Sequence, residues 1–389
     1  MATNPSLRPV GTGELADAIA DATRDGRRLA ICGGGSKQAI GAPASDAIDL
    51  HMSAFSDVVD YDPPELVLTA GAATPLSELE ALVASRGQAL AFDPFDYGRV
   101  LGGAAGASTI GGVIAAGVAG PCRLTQGAAR DHLLGFEAVS GRGERFVAGA
   151  KVVKNVTGYD LPKLMAGSWG RLAALTQVTL KVLPRPETRL TKLFVGLNLR
   201  DALRLMATAM RSPAEVRAAA HIPCAADYAD RSVTALLLTG FAASVEARSK
   251  MVDALLDLPG QTADIADQAS TEFWRDVAVT ASLRPDRPLW RITAPASRIA
   301  AVTEALGLDR RDQLFDWAGG LMWIVYEGDA AHVRAAAEGA GGQAMLVRAS
   351  PGLRAATPTF HPPAPGVAAL EARVRRAFDP LGVFETGRF

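Results

Sequence analysis

Residues 12–24 place Leu15, Ala18, Ile19 and Ala22 at i, i+3, i+4 and i+7, the spacing of one apolar helix face. Thr12 is a candidate N-cap and Gly26 a candidate terminator. An apolar run at 29–32 then reads as a strand that leads directly into Gly33-Gly-Gly-Ser-Lys37. Short strands are expected at 46–50 and 66–70, and Thr74 or Ser77 would cap a helix reaching Arg86. Residues 133–140 and 144–148 flank Gly141-Arg-Gly143 as a hairpin. Residues 172–183 alternate, with β-branched Thr176, Val178 and Thr179, and stop at Pro184-Arg-Pro186, the expected domain boundary.

Beyond that boundary, strands are expected at 193–197, 232–239, 289–293 and 321–326, and helices at 201–211, 244–256, 296–306, 330–338 and 368–377. Strands interleaved with helices at ordinary loop lengths predict an α+β domain, its helices packed on one face of an antiparallel sheet. The expected division is 1–185, 186–350 and a C-terminal segment, 351–389, that returns to the first domain. No internal repeat stands out.

Composition narrows the class. The 389 residues are 49% apolar and 21% charged with a net charge of −1, which fits a globular chain with a large core and lacks the basic footprint of a nucleic-acid binder. The N-terminus has no charged-then-apolar leader, which argues against secretion. Cys32, Cys122 and Cys224 are odd in number and far apart, so they form neither a disulfide framework nor a zinc set; no metal site is expected. The window 100–122 is uncharged and long enough to cross a bilayer, but it holds seven glycines. It reads instead as buried loop and strand around a ligand, with no transmembrane segment.

The glycines carry the chemistry. Successive amides in a turn such as 33–37 form an anion nest, to which Ser36 adds a hydroxyl and Lys37 a charge. The run lacks the Gly-Lys-Ser/Thr ending of a Walker A loop and the glycine spacing of the Rossmann fingerprint. Alone it reads equally well as a tight strand-ending turn. Ser108-Thr-Ile-Gly-Gly-Val-Ile-Ala-Ala-Gly117 would let backbone lie against a flat ring, or would simply pack tightly.

Together with Gly120-Pro-Cys-Arg123, Lys154-Asn-Val-Thr-Gly-Tyr-Asp-Leu161, Leu164-Met-Ala-Gly-Ser-Trp-Gly170, Leu180-Lys-Val-Leu-Pro-Arg-Pro186, Leu289-Trp-Arg-Ile292, Asp316-Trp-Ala-Gly-Gly320, Trp323 and Phe378-Asp-Pro-Leu-Gly-Val-Phe384, these motifs resemble the FAD-binding domain of the vanillyl-alcohol oxidase and p-cresol methylhydroxylase (PCMH) family. Within it the chain is most similar to the FAD-binding E subunits of bacterial glycolate oxidases. The resemblance covers nearly the whole chain. It implies a two-subdomain PCMH-type FAD domain followed by an α+β cap.

The resemblance also implies residue roles. Cys32, Gly33, Gly34, Gly35, Ser36 and Lys37 would wrap the FAD pyrophosphate. Pro94, Ser108, Thr109, Gly111 and Gly112 would run beside the ribityl chain and flavin, and Ala115, Ala116 and Gly120 would continue that wall. Asp131 falls in the segment leading to the next strand. Lys154, Gly158, Tyr159, Gly167 and Gly170 would close the pocket, and Leu175 or Thr176 would present backbone to the adenine side. Some relatives tether FAD through a histidine in the first glycine loop; none lies near Gly33–Lys37 here, so noncovalent FAD is expected.

Oxidation of a small 2-hydroxy acid needs a base and a carboxylate clamp. The five histidines show no metal-ligand spacing, unlike the His-rich second domain that the resemblance leads one to expect of a catalytic subunit. No catalytic residue is assigned. Arg291 reads as a carboxylate clamp, a strand-surface arginine or an interdomain ion pair. Tyr159 reads as touching the flavin edge or as a core residue, and Lys154 as near the flavin N1–C2 carbonyl or solvated. Trp274, Trp290, Trp317 and Trp323 read as pocket, core or subunit interface. Three functions stand: an FAD subunit of a glycolate oxidase complex, with a catalytic flavin subunit and an iron–sulfur subunit as partners; a stand-alone 2-hydroxy acid dehydrogenase; and a non-catalytic assembly subunit. A cytoplasmic location is expected, any contact with the inner membrane running through partner subunits.

Overall fold

A computed structural model describes residues 6–43, 46–150, 159–255 and 261–389. The first sheet is parallel: β1 (Ser6–Leu7), β2 (Arg28–Cys32) and β3 (Ala47–His51), in the order β1-β3-β2. Helix Thr12–Arg24 buries Leu15, Ile19 and Ala22, as its periodicity dictates. Gly11 rather than Thr12 takes the N-cap position, and Gly26 leaves the helix with φ +66°.

The second sheet holds β4 (Val58–Asp62), β5 (Val67–Gly71), β6 (Gln88–Leu90), β7 (Leu133–Ser140), β8 (Arg145–Gly149) and β9 (Ala173–Pro184). Its antiparallel order is β4-β5-β9-β7-β8, with β6 on the far end of β9. The long, β-branched β9 is its central strand, paired to both β5 and β7. In the uncharged window, expected as loop and strand, Ile110–Ala116 is a short helix. The Thr109 hydroxyl accepts the Gly112 N–H at its start. Gly111 is there for closeness: a Cβ would stand 2.7 Å from that of Ala72.

The third sheet begins at Thr188, four residues after β9 ends. Its strands are β10 (Thr188–Val195), β11 (Ala218–Ala225), β12 (Arg231–Gly240), β13 (Gln261–Ala266), β14 (Leu289–Thr293), β15 (Gln313–Asp316), β16 (Leu321–Val325) and β17 (Gln343–Arg348). All eight pair antiparallel, in the order β13-β10-β12-β11-β15-β16-β14-β17. With helices Leu199–Arg211, Ala242–Asp253, Ala300–Leu306 and Ala330–Gly339 between strands, this is a βαββαβ unit built twice. The two units meet edge to edge through β11 and β15, where His221 pairs with Phe315. Sequence repetition is absent, so the duplication shows only in the topology.

Alternation along these strands sets two faces. Phe194, Ala219, Leu236 and Leu238 pack on the first helix pair; Trp290, Ile292, Phe315, Met322 and Ile324 pack on the second. The other face, including Leu193, Val195, Leu237, Leu289, Trp323 and Val325, shares one core with Leu68, Phe92, Tyr97 and Ile110 of the N-terminal body. Helix Pro365–Phe378 and the residues after it return to that body; Leu29 N–H donates to the Val383 carbonyl at 2.7 Å. Among the described residues, no helix is long and apolar enough to cross a membrane.

Candidate functional site

Where β2 stops, the loop Gly33–Lys37 forms one wall of a cavity of about 130 Å³. Thr109, Gly111, Gly112, Ala115 and Ala116 of the short helix form the facing wall, and Leu175 of β9 lies behind. Gly35 takes φ +79°, which turns the loop back on itself. The amides of Gly34, Gly35, Ser36 and Lys37 find no acceptor among the described residues; Gly34 is exposed, but Gly35, Ser36 and Lys37 are half-buried, where amides are nearly always paired. The Lys37 ammonium donates to the hydroxyls of Ser36 at 3.3 Å and Ser108 at 3.4 Å. Burial pushes it down to about 8, against the pull of Asp96. Two cations, Lys37 and Arg388, line this cavity and no Asp or Glu side chain does. Unsatisfied amides and cations without acids are the donor set a diphosphate requires.

A second cavity, of about 320 Å³, lies between the body and helix Asp267–Ala278. Pro94 and Ser108 line it, with Glu80, Asp93 and Asp96 from the body and Arg189 and Arg275 from the C-terminal unit. Ser108 joins the two cavities, since its hydroxyl is the one bonded to Lys37. Desolvation, with Asp93 and Asp96 adding repulsion, pushes Glu80 up to about 7, although its outer edge is open to solvent. Arg189 Nε is buried with no partner among the described residues.

Of the other residues singled out in the sequence, Cys32, Gly33 and Gly170 line the first cavity. Burial raises the Cys32 thiol, which accepts from Gln38 Nε2 at 3.3 Å. Gly120, Asp131, Gly167 and Thr176 lie off both cavities. The Gly120 carbonyl accepts Trp317 Nε1 at 2.9 Å, Asp131 caps its own short helix by accepting the Ala128 N–H, and the Gly167 N–H donates to Ile114 O. Thr176 is buried; its hydroxyl donates to Glu137 and its carbonyl accepts the Ala72 N–H. Tyr159 is 90% exposed and lines neither cavity, so a core position does not describe its side chain. Lys154 and Gly158 lie outside the described residues.

Arg291 is not a strand-surface residue. Its strand register turns it toward the body, 4.9 Å from the Trp317 ring and 5.9 Å from the Trp323 ring. Arg123 approaches Trp317 at 5.2 Å, so one indole holds two guanidiniums. No ion pair to Arg291 forms among the described residues, and it lines neither cavity. Beside it, burial and then Asp93 push the Asp316 carboxyl up to about 7, while the Trp317 N–H it accepts at 2.7 Å opposes the rise.

None of the five histidines lines either cavity. His132 Nε2 meets the Gln126 carbonyl; His221 is buried against Thr234 and pushed down to about 3; His361 pairs with Glu338. Cys122 is buried away from the first cavity beside Asp93. Ile31, Gln38, Met52, Arg388 and Phe389 also line that cavity without a motif that marks them in the sequence, as does Trp169 of the Gly167–Gly170 run.

Comparison with known proteins fits this geometry. Residues 6–149, which carry most of the first cavity, match the FAD binding domain family. The Escherichia coli (strain K12) glycolate oxidase subunit GlcE is 31% identical over 376 residues, 96% of each chain. The chain belongs to the GlcE family of glycolate oxidase subunits. This GlcE-type chain is also 31% identical to the Bacillus subtilis (strain 168) glycolate oxidase subunit GlcD, over 51% of its own length and 46% of GlcD. A solved alkyldihydroxyacetonephosphate synthase aligns at a TM-score of 0.68, covering 97% of this chain and 76% of that one. Its 14% identity makes that a likeness of fold alone.

Proposed function

We propose that this chain is the FAD-bearing subunit of a glycolate oxidase-type complex that oxidises small 2-hydroxy acids, and that it holds FAD without a covalent bond. The observation that carries the reading is the row of four amides, Gly34 to Lys37, without acceptors among the described residues, in a loop that walls a cavity lined by Lys37 and Arg388 and by no Asp or Glu side chain. These amides with Ser36 and Lys37 would hold the diphosphate. Thr109 to Gly112, Ala115 and Ala116 would form the wall along the cofactor, and Leu175 the adenosine end. Pro94 and Ser108, on the second cavity, face the flavin end. The flavin supplies two-electron oxidation and transfer of those electrons onward.

The chain's own residues favour relay over autonomous turnover. Neither cavity carries a histidine base, and Arg291 is spent on two indoles instead of facing an open pocket. The three cysteines are buried and separate, so no iron–sulfur cluster could form here and electrons leave to another subunit. A catalytic flavin subunit and an iron–sulfur subunit are the proposed partners.

The test is to purify the chain alone, record its flavin spectrum and add glycolate or D-lactate without oxygen. Bound flavin that stays oxidised, and is bleached only after the GlcD-type partner is added, supports the relay subunit. Bleaching by the chain alone assigns it autonomous dehydrogenase activity. A colourless chain that takes up no FAD refutes both.

A further inference from the structure

The first cavity is completed from the far end of the chain. Arg388 donates through Nε to the Ile40 carbonyl at 2.7 Å and through Nη2 to the Lys37 carbonyl. Arg354 donates to the next carbonyl along, Gly41 O, at 3.1 Å. The approach is tight enough to require glycine at position 41, where a Cβ would lie 2.7 Å from the Arg388 carbonyl oxygen. The carbonyls of Lys37, Ile40 and Gly41, at and just after the end of the loop, thus accept from the C-terminal segment, while the amides of Gly34 to Lys37 have no acceptor among the described residues.

This arrangement gathers positive charge that Asp49 offsets only from beyond ion-pair distance. Burial first, and then repulsion from Arg354, pushes the Arg388 guanidinium down to about 10 against the pull of Cys32 and Asp49, still a cation at neutral pH. Among the described residues neither arginine has a carboxylate within ion-pair distance, nor does Lys37. Arg354 Nε is buried without a partner. Arg388 Nη1 makes no hydrogen bond among the described residues, and Arg388 lines the cavity. Phe389 fixes the segment beside it, its ring 5.1 Å from Trp169 and 5.2 Å from Phe360. Clustered guanidiniums on a half-buried wall call for an anion.

We propose that Arg388 is a cofactor-binding residue: it sets the Gly33–Lys37 loop through its Nε and Nη2 bonds and turns its free N–H groups to the diphosphate. The inference rests on the FAD reading above and adds to it that binding depends on the last residues of the C-terminal segment. Docking of that segment and cofactor retention are therefore coupled in both directions.

The experiment measures FAD affinity of the full-length apoprotein by quenching of flavin fluorescence, alongside its thermal midpoint without cofactor, for the wild type, Arg388→Gln and Arg388→Lys. The expected result for Arg388→Gln is an affinity about 30-fold weaker with a cofactor-free midpoint lowered by only a few degrees, the cost of its two bonds to the Ile40 and Lys37 carbonyls. Arg388→Lys, which keeps the charge and loses the fork, should recover about tenfold of that. FAD at saturation should slow proteolysis of residues 379–389 in the wild type and not in Arg388→Gln. Unchanged affinity in Arg388→Gln, or a midpoint that falls in step with affinity in both variants, overturns the proposal. A wild-type chain that binds no FAD refutes the underlying reading instead, and is distinguishable because no variant need be measured.

Discussion

A Cβ on Gly34 would stand 1.9 Å from the Ala107 carbonyl oxygen, so the two glycine segments of the cofactor site touch backbone to backbone. Gly112 differs: there a Cβ meets only Thr109 Oγ1 at 3.2 Å and Lys37 Nζ at 3.6 Å, on the cavity side. Gly34→Val must push the loop off Ala107 and should cost about 3 kcal/mol of stability along with the flavin. Gly112→Val should fold with a loss below about 1 kcal/mol and still fail to hold flavin, because its side chain fills the ligand's space. Chemical denaturation and the flavin-to-protein absorbance ratio check both. Equal stability losses in the two variants would count against the assigned site.

Lys37 gives a pH signature of two opposite signs. Its folded value is pushed down to about 8 by burial, while an unfolded lysine stays protonated to near 10.5. Between those values the unfolded chain binds more protons, so the cofactor-free fold gains stability as pH rises from about 8 to 10. FAD affinity should move the other way, falling as the ammonium beside the diphosphate loses its charge. Lys37→Met should flatten both curves and weaken FAD binding about tenfold at pH 7. Fluorescence titrations and melting curves from pH 7 to 10 read the two effects.

Asp316 predicts a further slope. Burial and Asp93 hold its folded carboxyl up to about 7, against 3.8 for the free group. Protons are bound by the fold and not by the unfolded chain between those values, so this group's contribution is full below about pH 4 and lost as pH rises through 7. Asp316→Asn should match the wild type at pH 4 and melt several degrees higher at pH 8. A lower midpoint at pH 8 would mean that the ionised carboxylate is needed there beside Arg291.

The glycine loop and the Thr109–Ala116 wall were legible because backbone that must approach a ligand needs glycine or small residues in a local run. Leu175 could be placed through the resemblance, since β9 keeps its alternation. Arg388 and Phe389 were not, for they reach the loop across some 350 residues and nothing local marks them. Pro94 and Ser108 fall in the right neighbourhood, yet on the second cavity, because the chain bends between Phe95 and Ser108. In the third sheet, β11, β13, β15 and β17 escaped the hydrophobic pattern. β11 is buried along its whole length, so it carries no alternation, and β13 is largely exposed. The doubled βαββαβ topology could not be read at all, because packing conserves the arrangement of elements without conserving residues.

The most direct measurement is the flavin content of the purified full-length chain and the fate of that flavin on denaturation. The account predicts close to one FAD per chain, released completely into the supernatant when the protein is precipitated by acid, with the Gly112→Val variant colourless. Flavin that stays with the precipitated polypeptide would contradict noncovalent binding. A folded chain that holds no flavin and takes none up from solution would contradict the central claim.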